Sequence, residues 1–177
     1  FGHIMQQLSR VFVEKKPDFL LVVGDVNTTL AGALAANKLG IPLGHLESGL
    51  RSYDREMPEE INRIITDEIS DIYFTTESSG TNNLLKEGRK KENVFFVGNT
   101  MIDTLVAYQS QIKSSEIISQ IGVPKKPFIL MTLHRPSNVD SKESLLKICY
   151  LLENLSKIKN VVFPIHPRTK KNLIENG

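Results

Sequence analysis

The sequence predicts an α/β protein built on parallel sheet. Six short apolar runs alternate with helical patterns along the whole chain. The first run, FLLVVGD from Phe19 to Asp25, is almost continuously apolar, as in a strand buried on both faces. The connections are short and rich in Gly, Pro, Asn and Asp, which favours neighbouring parallel strands with crossover helices.

Each element has its own signal. Ile4, Leu8, Val11 and Phe12 recur at helical spacing from Ile4 to Lys15, and Pro17 and Asp18 break the pattern. The strand Phe19–Asp25 follows. Thr28 or Thr29 is a candidate cap for an alanine-rich helix that stops at Gly40. The second strand is Ile41–Glu47. A polar loop then leads to Pro58, suited to the first turn of a helix that runs from Glu59 to about Ser70 with Ile61, Ile64, Ile65 and Ile69 on one stripe. Ile72–Thr75 is the third strand, Glu77–Lys86 its helix, and Val94–Val97 the fourth strand. Gly98, Asn99 and Thr100 lead into a long helical segment, Met101 to Ile118. Phe128–Leu133 is the fifth strand, also expected to be covered on both faces. Asp140 or Ser141 caps a helix over Leu145–Leu155. The sixth strand, Val161–Ile165, is followed by a helix opened by Pro167.

Composition bounds the function. The chain has 177 residues, 40% hydrophobic and 24% charged, enough for a full core. A formal net charge of +2 gives no ground for nucleic acid or an anionic membrane as partner. The one cysteine, Cys149, excludes an internal disulfide and a cysteine-based zinc site, and its apolar helical setting predicts a buried, inert thiol. His3, His45, His134 and His166 lack metal-ligand spacing, so no metal is expected. No apolar run is long enough to cross a membrane. The opening FGHIMQQLSRVFVEKKPD reads as an amphipathic helix rather than a signal peptide, and it starts mid-pattern, as an excised piece would. A reducing cytoplasm fits these features. VGDVNTT is not a dinucleotide fingerprint, and neither a P-loop nor a serine elbow occurs.

The chemistry concentrates in IPLGHLESGLRSYDREMPEEINR, Ile41 to Arg63. A strand ends at a carboxylate, Glu47, followed by a glycine, a charged loop and a helix start. Open α/β sheets build ligand crevices in this way. Glu47 either caps a neighbouring helix or faces ligand. Glu59 and Glu60 either offset the helix dipole or act in chemistry. Arg51 and Arg63 could pair with Glu56, Glu59 or Glu60. Four strand ends carry polar side chains, Asp25, Glu47, His134 and His166, and parallel strands bring such ends to one rim. Carboxylates and histidines there can divide acid and base roles. A phosphate could bind at the helix start Asn99–Thr100 or after His134, with Arg135 and Arg168 as charge partners.

Four stretches, VVGDVNTTLAGALAANKLGIPLGHLESGLRS, MPEEINRIITDEISD, VFFVGNTMIDTL and MTLHRPSNVD, resemble the non-hydrolysing UDP-N-acetylglucosamine 2-epimerase family, in the family's order and across essentially the whole chain. The resemblance implies a GT-B-like fold of two Rossmann-like parallel-sheet domains, each only partly present. Residues 1–98 would be the later part of the first domain, and 99–177 the early part of the second. It implies UDP elimination across C1–C2 of the sugar, a 2-acetamidoglucal intermediate, and re-addition of UDP with proton delivery from the other face. The catalytic residues carried over are Asp25, Glu47, Glu59 and His134, the last beside the diphosphate. Arg135, His166, Asn99 and Thr100 are candidate substrate contacts. No cofactor is implied, and the full-length enzyme is expected to be a cytoplasmic homodimer that takes a UDP-sugar. The loop SYDREMPEE lacks the aromatic residue that bacterial members carry before the proline, so a related UDP-2-acetamido sugar acid is an alternative substrate. A GT-B glycosyltransferase would share the fold, and an inactive fragment would share the motifs. With half of each sheet, the chain is expected to leave strand edges and apolar faces open.

Overall fold

A computed structural model describes residues 1–123, 126–133 and 135–176. The chain forms two compact units, Phe1–Gln109 and Ser110–Gly177.

The first unit is a four-stranded parallel sheet in the order β1 (Leu20–Val23), β2 (Leu43–Leu46), β3 (Ile72–Thr75), β4 (Val94–Phe96). Its helices are α1 (Gly2–Lys15), α2 (Asn27–Lys38), α3 (Pro58–Ile69), α4 (Ser78–Lys86) and α5 (Thr100–Ala107). Register pairs Leu20 with Leu43 and Val22 with His45, and His45 with Tyr73. Those residues therefore share one face. That face is the covered one: Val22, Leu43 and the alanines of α2 form the core with Phe12 of α1, and Met5, Leu8, Ile41 and Ile69 pack around them. The alanines suit this contact, because a helix without bulk on its inner face can lie close to a sheet.

The opposite face differs from expectation. Leu21 and Val23 are 48% and 50% exposed, and Phe95 is open as well. β1 is an edge strand covered on one side only, so its apolar run reflects apolar residues on both faces but burial on one. β2, with a neighbour on each side, is the buried centre.

Two helix expectations also need correction. Neither Thr28 nor Thr29 caps α2. The cap position is Val26, and the Thr29 hydroxyl, inside the helix, donates to the Val23 carbonyl at 2.6 Å, tying helix to strand end. The segment Met101 to Ile118 is not one long helix but α5, α6 (Gln109–Ser114) and α7 (Ile117–Gln120). None of the three buries a residue, and short helices without a packed face have little to hold them in register.

The second unit pairs β5 (Phe128–Leu130) with β6 (Asn160–Val162) in parallel and adds α8 (Pro136–Val139), α9 (Lys142–Ser156) and α10 (Pro167–Asn176). Val139, Leu145 and Ile148 form its core, with Met131, Leu133, Leu152 and Leu173 against them. Ser141 caps α9 by accepting from the Ser144 amide at 3.1 Å. β5 is shorter than expected and not covered on both faces, since Leu130 is exposed. Cys149, on α9, is only partly buried, because it lies beside the helix's core-facing residues rather than among them. No described helix is long and apolar enough to cross a membrane.

Candidate active site

The site grows from the inner face of α3. The apolar stripe Ile61, Ile64, Ile65, Ile69 is not its most buried side. The buried residues are Glu60, Asn62, Thr66 and Asp67. Residues 60, 63 and 67 recur at i, i+3 and i+7, one helical stripe, and that stripe faces the strand ends. Its polar side chains, with neighbouring Asn62, hold the turn after β1 and the loop after β2. Glu60 accepts from the amides of Ser52 and Tyr53 at 2.8 and 3.1 Å and from the Ser52 hydroxyl at 3.1 Å. Asn62 donates to the Asp25 carbonyl at 2.8 Å and to Asn27 at 3.1 Å. Arg63 pairs with the Asp25 carboxylate at 2.7 Å and donates from Nε to the Glu47 carbonyl at 3.2 Å. Asp67 accepts from the Gly49 amide at 3.0 Å and pairs with Arg51 at 2.7 Å.

Two of the expected carboxylates thus stand side by side at neighbouring strand ends. Asp25 follows β1 and is engaged by Arg63. Glu47 follows β2 with φ +67°, a left-handed conformation uncommon outside glycine. Such a backbone costs on the order of 1–3 kcal/mol and persists only where its surroundings enforce it. Here the amides of Glu47 and Ser48 both donate to the Phe74 carbonyl, at 3.0 and 3.3 Å, while Arg63 takes the Glu47 carbonyl. The turn aims the Glu47 side chain at Gly24: Oε2 lies 3.5 Å from where a β-carbon on Gly24 would stand, and Gly24 has φ +70°. The Glu47 carboxylate has no hydrogen bond to a described residue, so it caps no helix. Next along, Gly49 crosses Gly80 so closely that a β-carbon would lie 2.2 Å from the Gly80 carbonyl oxygen.

Glu59 and Glu60 separate cleanly. Glu59 is exposed, whereas Glu60 is 3% exposed and part of the fold. Burial pushes the Glu60 pKa up, but the Ser52 and Tyr53 amides, the Ser52 hydroxyl and nearby Arg51 outweigh it and hold the carboxyl below its ordinary value. The arginines do not pair as the sequence suggested. Arg51, with 3% of its side chain exposed, meets Asp67 and grips Glu87 with two bonds at 2.9 and 2.7 Å. Burial alone would lower its pKa; Glu87 and Asp67 reverse this and raise it. Beneath them His45, fully buried in β2, sits between Asp67 (Nδ1 to Oδ1, 2.6 Å) and the Gly24 carbonyl (Nε2 to O, 2.8 Å). A cleft of about 400 Å³ opens nearby, lined by Leu50, Arg51, Ser52, Tyr53, Arg63 and residues of the α4 start.

The remaining candidates lie elsewhere in the chain. Asn99 caps α5, accepting from the Met101 amide at 3.0 Å, and Thr100 is the first residue of that helix. His134 lies outside the described residues. Arg135 is exposed and has no charged partner among the described residues. His166 precedes α10 and accepts from the Arg168 amide at 3.2 Å. Arg168 is engaged by Asp140 in a fork at 2.7 and 2.5 Å, and Arg168 in turn holds the Asp140 carboxyl below its usual range. Asn172 and Thr169 bind the Val139 and Leu133 carbonyls, so α10 is fastened to the segment it faces. Among the described residues no cluster of His, Cys, Asp and Glu could hold a metal ion.

The sequence and fold are similar to those of known proteins. The family model described as UDP-N-acetylglucosamine 2-epimerase matches residues 1–177. A UDP-N-acetylglucosamine 2-epimerase of Methanococcus maripaludis is 48% identical over 99% of this chain and 50% of its own length. A UDP-2,3-diacetamido-2,3-dideoxy-D-glucuronate 2-epimerase of Pseudomonas aeruginosa is 42% identical over 96% of this chain and 48% of its own. The crystal structure of the Methanocaldococcus jannaschii UDP-GlcNAc 2-epimerase in complex with UDP-GlcNAc and UDP superposes with a TM-score of 0.86 at 44% identity, over 99% of this chain and 49% of that one. The chain therefore spans about half the length of the relatives it matches. Its two Rossmann-like parallel-sheet units are parts of the two sheets of a GT-B-like fold. With a family model matched from end to end, the chain belongs to the UDP-N-acetylglucosamine 2-epimerase family.

Proposed function

We propose that this chain, in a polypeptide of its relatives' full length, interconverts UDP-GlcNAc and UDP-ManNAc. The observation that carries the reading is the pair of carboxylates at neighbouring strand ends, Asp25 engaged by Arg63 and Glu47 turned out of the ladder toward Gly24. Inversion at C2 needs a base on one face and an acid on the other. The base takes the C2 proton as the C1–O bond breaks and UDP leaves; the acid then protonates C2 of the glucal from the opposite face as UDP returns to C1. Asp25, Glu47 and exposed Glu59 are the acid–base candidates. His134 and Arg135 are proposed to offset diphosphate charge during elimination, with Asn99, Thr100 and His166 as further substrate contacts. Residues 1–98 and 99–177 are read as belonging to the first and second domains of that enzyme, a cytoplasmic homodimer.

A second substrate, a UDP-2-acetamido sugar acid, is favoured by the 42% identical Pseudomonas aeruginosa relative. The test runs both UDP-sugars in deuterated water, without and with a sugar acceptor. Deuterium at C2 of both epimers supports epimerisation and identifies the substrate. Unlabelled sugar with acceptor-dependent UDP release makes the protein a glycosyltransferase instead.

A further inference from the structure

The imidazole of His45 is fully buried, yet it binds the turn that carries one candidate carboxylate and lies two residues before the other. Gly24 directly follows β1, and its amide donates to the Leu46 carbonyl at 3.0 Å. Its carbonyl is then taken by His45 Nε2 at 2.8 Å. A carbonyl oxygen only accepts, so Nε2 carries a hydrogen there. The other ring nitrogen is fixed by Asp67 at 2.6 Å, and Asp67 is itself fixed by Arg51 and the Gly49 amide. Both His45 and Asp67 are fully buried. The chain Gly24–His45–Asp67–Arg51–Glu87 thus runs from the Asp25 turn, under the Glu47 turn, to the far side of the loop.

We infer that His45, held by Asp67, is a positioning residue that sets the Asp25 turn against Glu47. The inference rests on the acid–base reading of those two carboxylates. A polar group this deep is costly unless fully bonded, and here each of its bonds fixes a backbone or a charge next to the site. Loss of the His45 bond leaves the Gly24 carbonyl without its buried donor and leaves the turn tied to β2 through the Gly24 amide and the Leu46 carbonyl. Misplacement of a catalytic group by about 1 Å can cost on the order of 100-fold in rate.

Side-chain length separates this role from simple packing. In the full-length protein, His45→Asn can reach Asp67 but not Gly24, while His45→Gln can reach Gly24. His45→Asn should lower kcat roughly 10- to 100-fold with KM within about twofold, and His45→Gln should recover most of the loss. Asp67→Asn, which loosens the ring without touching Gly24, should lower kcat in the same direction. Circular dichroism checks each fold. Unchanged kcat in His45→Asn, equal losses in Asn and Gln, a rise in KM alone, or failure of all three variants to fold would each overturn the positioning role. Asp25→Asn, assayed in parallel, isolates the underlying reading: normal turnover there removes the acid–base assignment of Asp25, whereas an inactive Asp25→Asn beside a fully active His45→Asn removes only the inference.

Discussion

Adjacent glutamates at the start of α3 should fail in opposite ways. Glu60→Gln changes one buried group. Its carboxylate accepts three hydrogen bonds, two of them from backbone amides of the loop that follows Arg51. Glutamine keeps one accepting oxygen and sets an NH₂ group against an amide N–H. Hydrogen bonds to a charged acceptor contribute about 1.5–3 kcal/mol, and the Tyr53 amide, on an exposed residue, can regain water, so the expected loss is about 2 kcal/mol. The pH dependence has a definite sign. The folded-state pKa of Glu60 is below its ordinary value of 4.5. Above that value both states are ionised and the contribution is complete. As pH falls through it, the unfolded chain takes the proton first and the contribution is lost, vanishing below the folded-state pKa. Urea unfolding of the full-length protein and its Glu60→Gln variant should therefore differ most near neutrality and converge in acid. Glu59→Gln, at an exposed site, should leave unfolding unchanged and lower turnover. A Glu60→Gln protein of unaltered stability, or one whose deficit grows in acid, would refute the assignment of Glu60 to the loop.

Glu47→Gln in the full-length protein should lower turnover by about 10²–10⁴-fold while UDP still binds, as measured by calorimetry; near-normal turnover would remove Glu47 from the chemistry. Gly49→Ala should destabilise by about 2–5 kcal/mol, because it adds a left-handed penalty to a collision with the Gly80 carbonyl, and urea midpoints check it. Asp140→Asn should destabilise only slightly, and less than Gly49→Ala, since the Arg168 fork is solvent-exposed, and urea midpoints check it. The 177 residues expressed alone should bind a hydrophobic dye and self-associate through the open face around Leu21, Val23 and Phe95; a monodisperse, dye-silent monomer in sedimentation would contradict this.

The fold was legible where periodicity and turn chemistry act locally. All six strands and a cap at Asp140 or Ser141, which the structure resolves as Ser141, follow from short-range pattern, and the parallel arrangement follows from alternation. Burial was less legible. FLLVVGD has the composition of a doubly covered strand, but coverage depends on what packs against each face, and the face carrying Leu21 and Val23 is open. The long segment after Thr100 failed for the same reason: helical spacing of Met101, Ile102, Leu105 and Ile112 marks a face, and that face is exposed here.

The site shows a different limit. Asp25 and Glu47 stand out as candidates because strand ends are marked in sequence, whereas Glu59 is set apart from Glu60 only by the family resemblance. Their supports do not stand out, since Arg63, Asp67 and His45 find their partners 16 or more residues away along the chain, and Glu60 folds back on the irregular loop before its helix. One signal was available. Glu60, Arg63 and Asp67 repeat at helical spacing opposite the isoleucines, and a charged stripe on such a helix is ordinarily read as its solvent face. It is instead the side that fixes the loops at the strand ends. Hydrophobic pattern identifies the inner face of a helix when the helix covers a sheet. When the helix also lies across strand ends, unpaired loop amides and carbonyls stand opposite it, and polar side chains are what satisfy them. The isoleucines of α3 therefore remain partly or fully open, while polar Glu60, Asn62, Thr66 and Asp67 are its buried residues and Glu59 and Glu68 stay exposed.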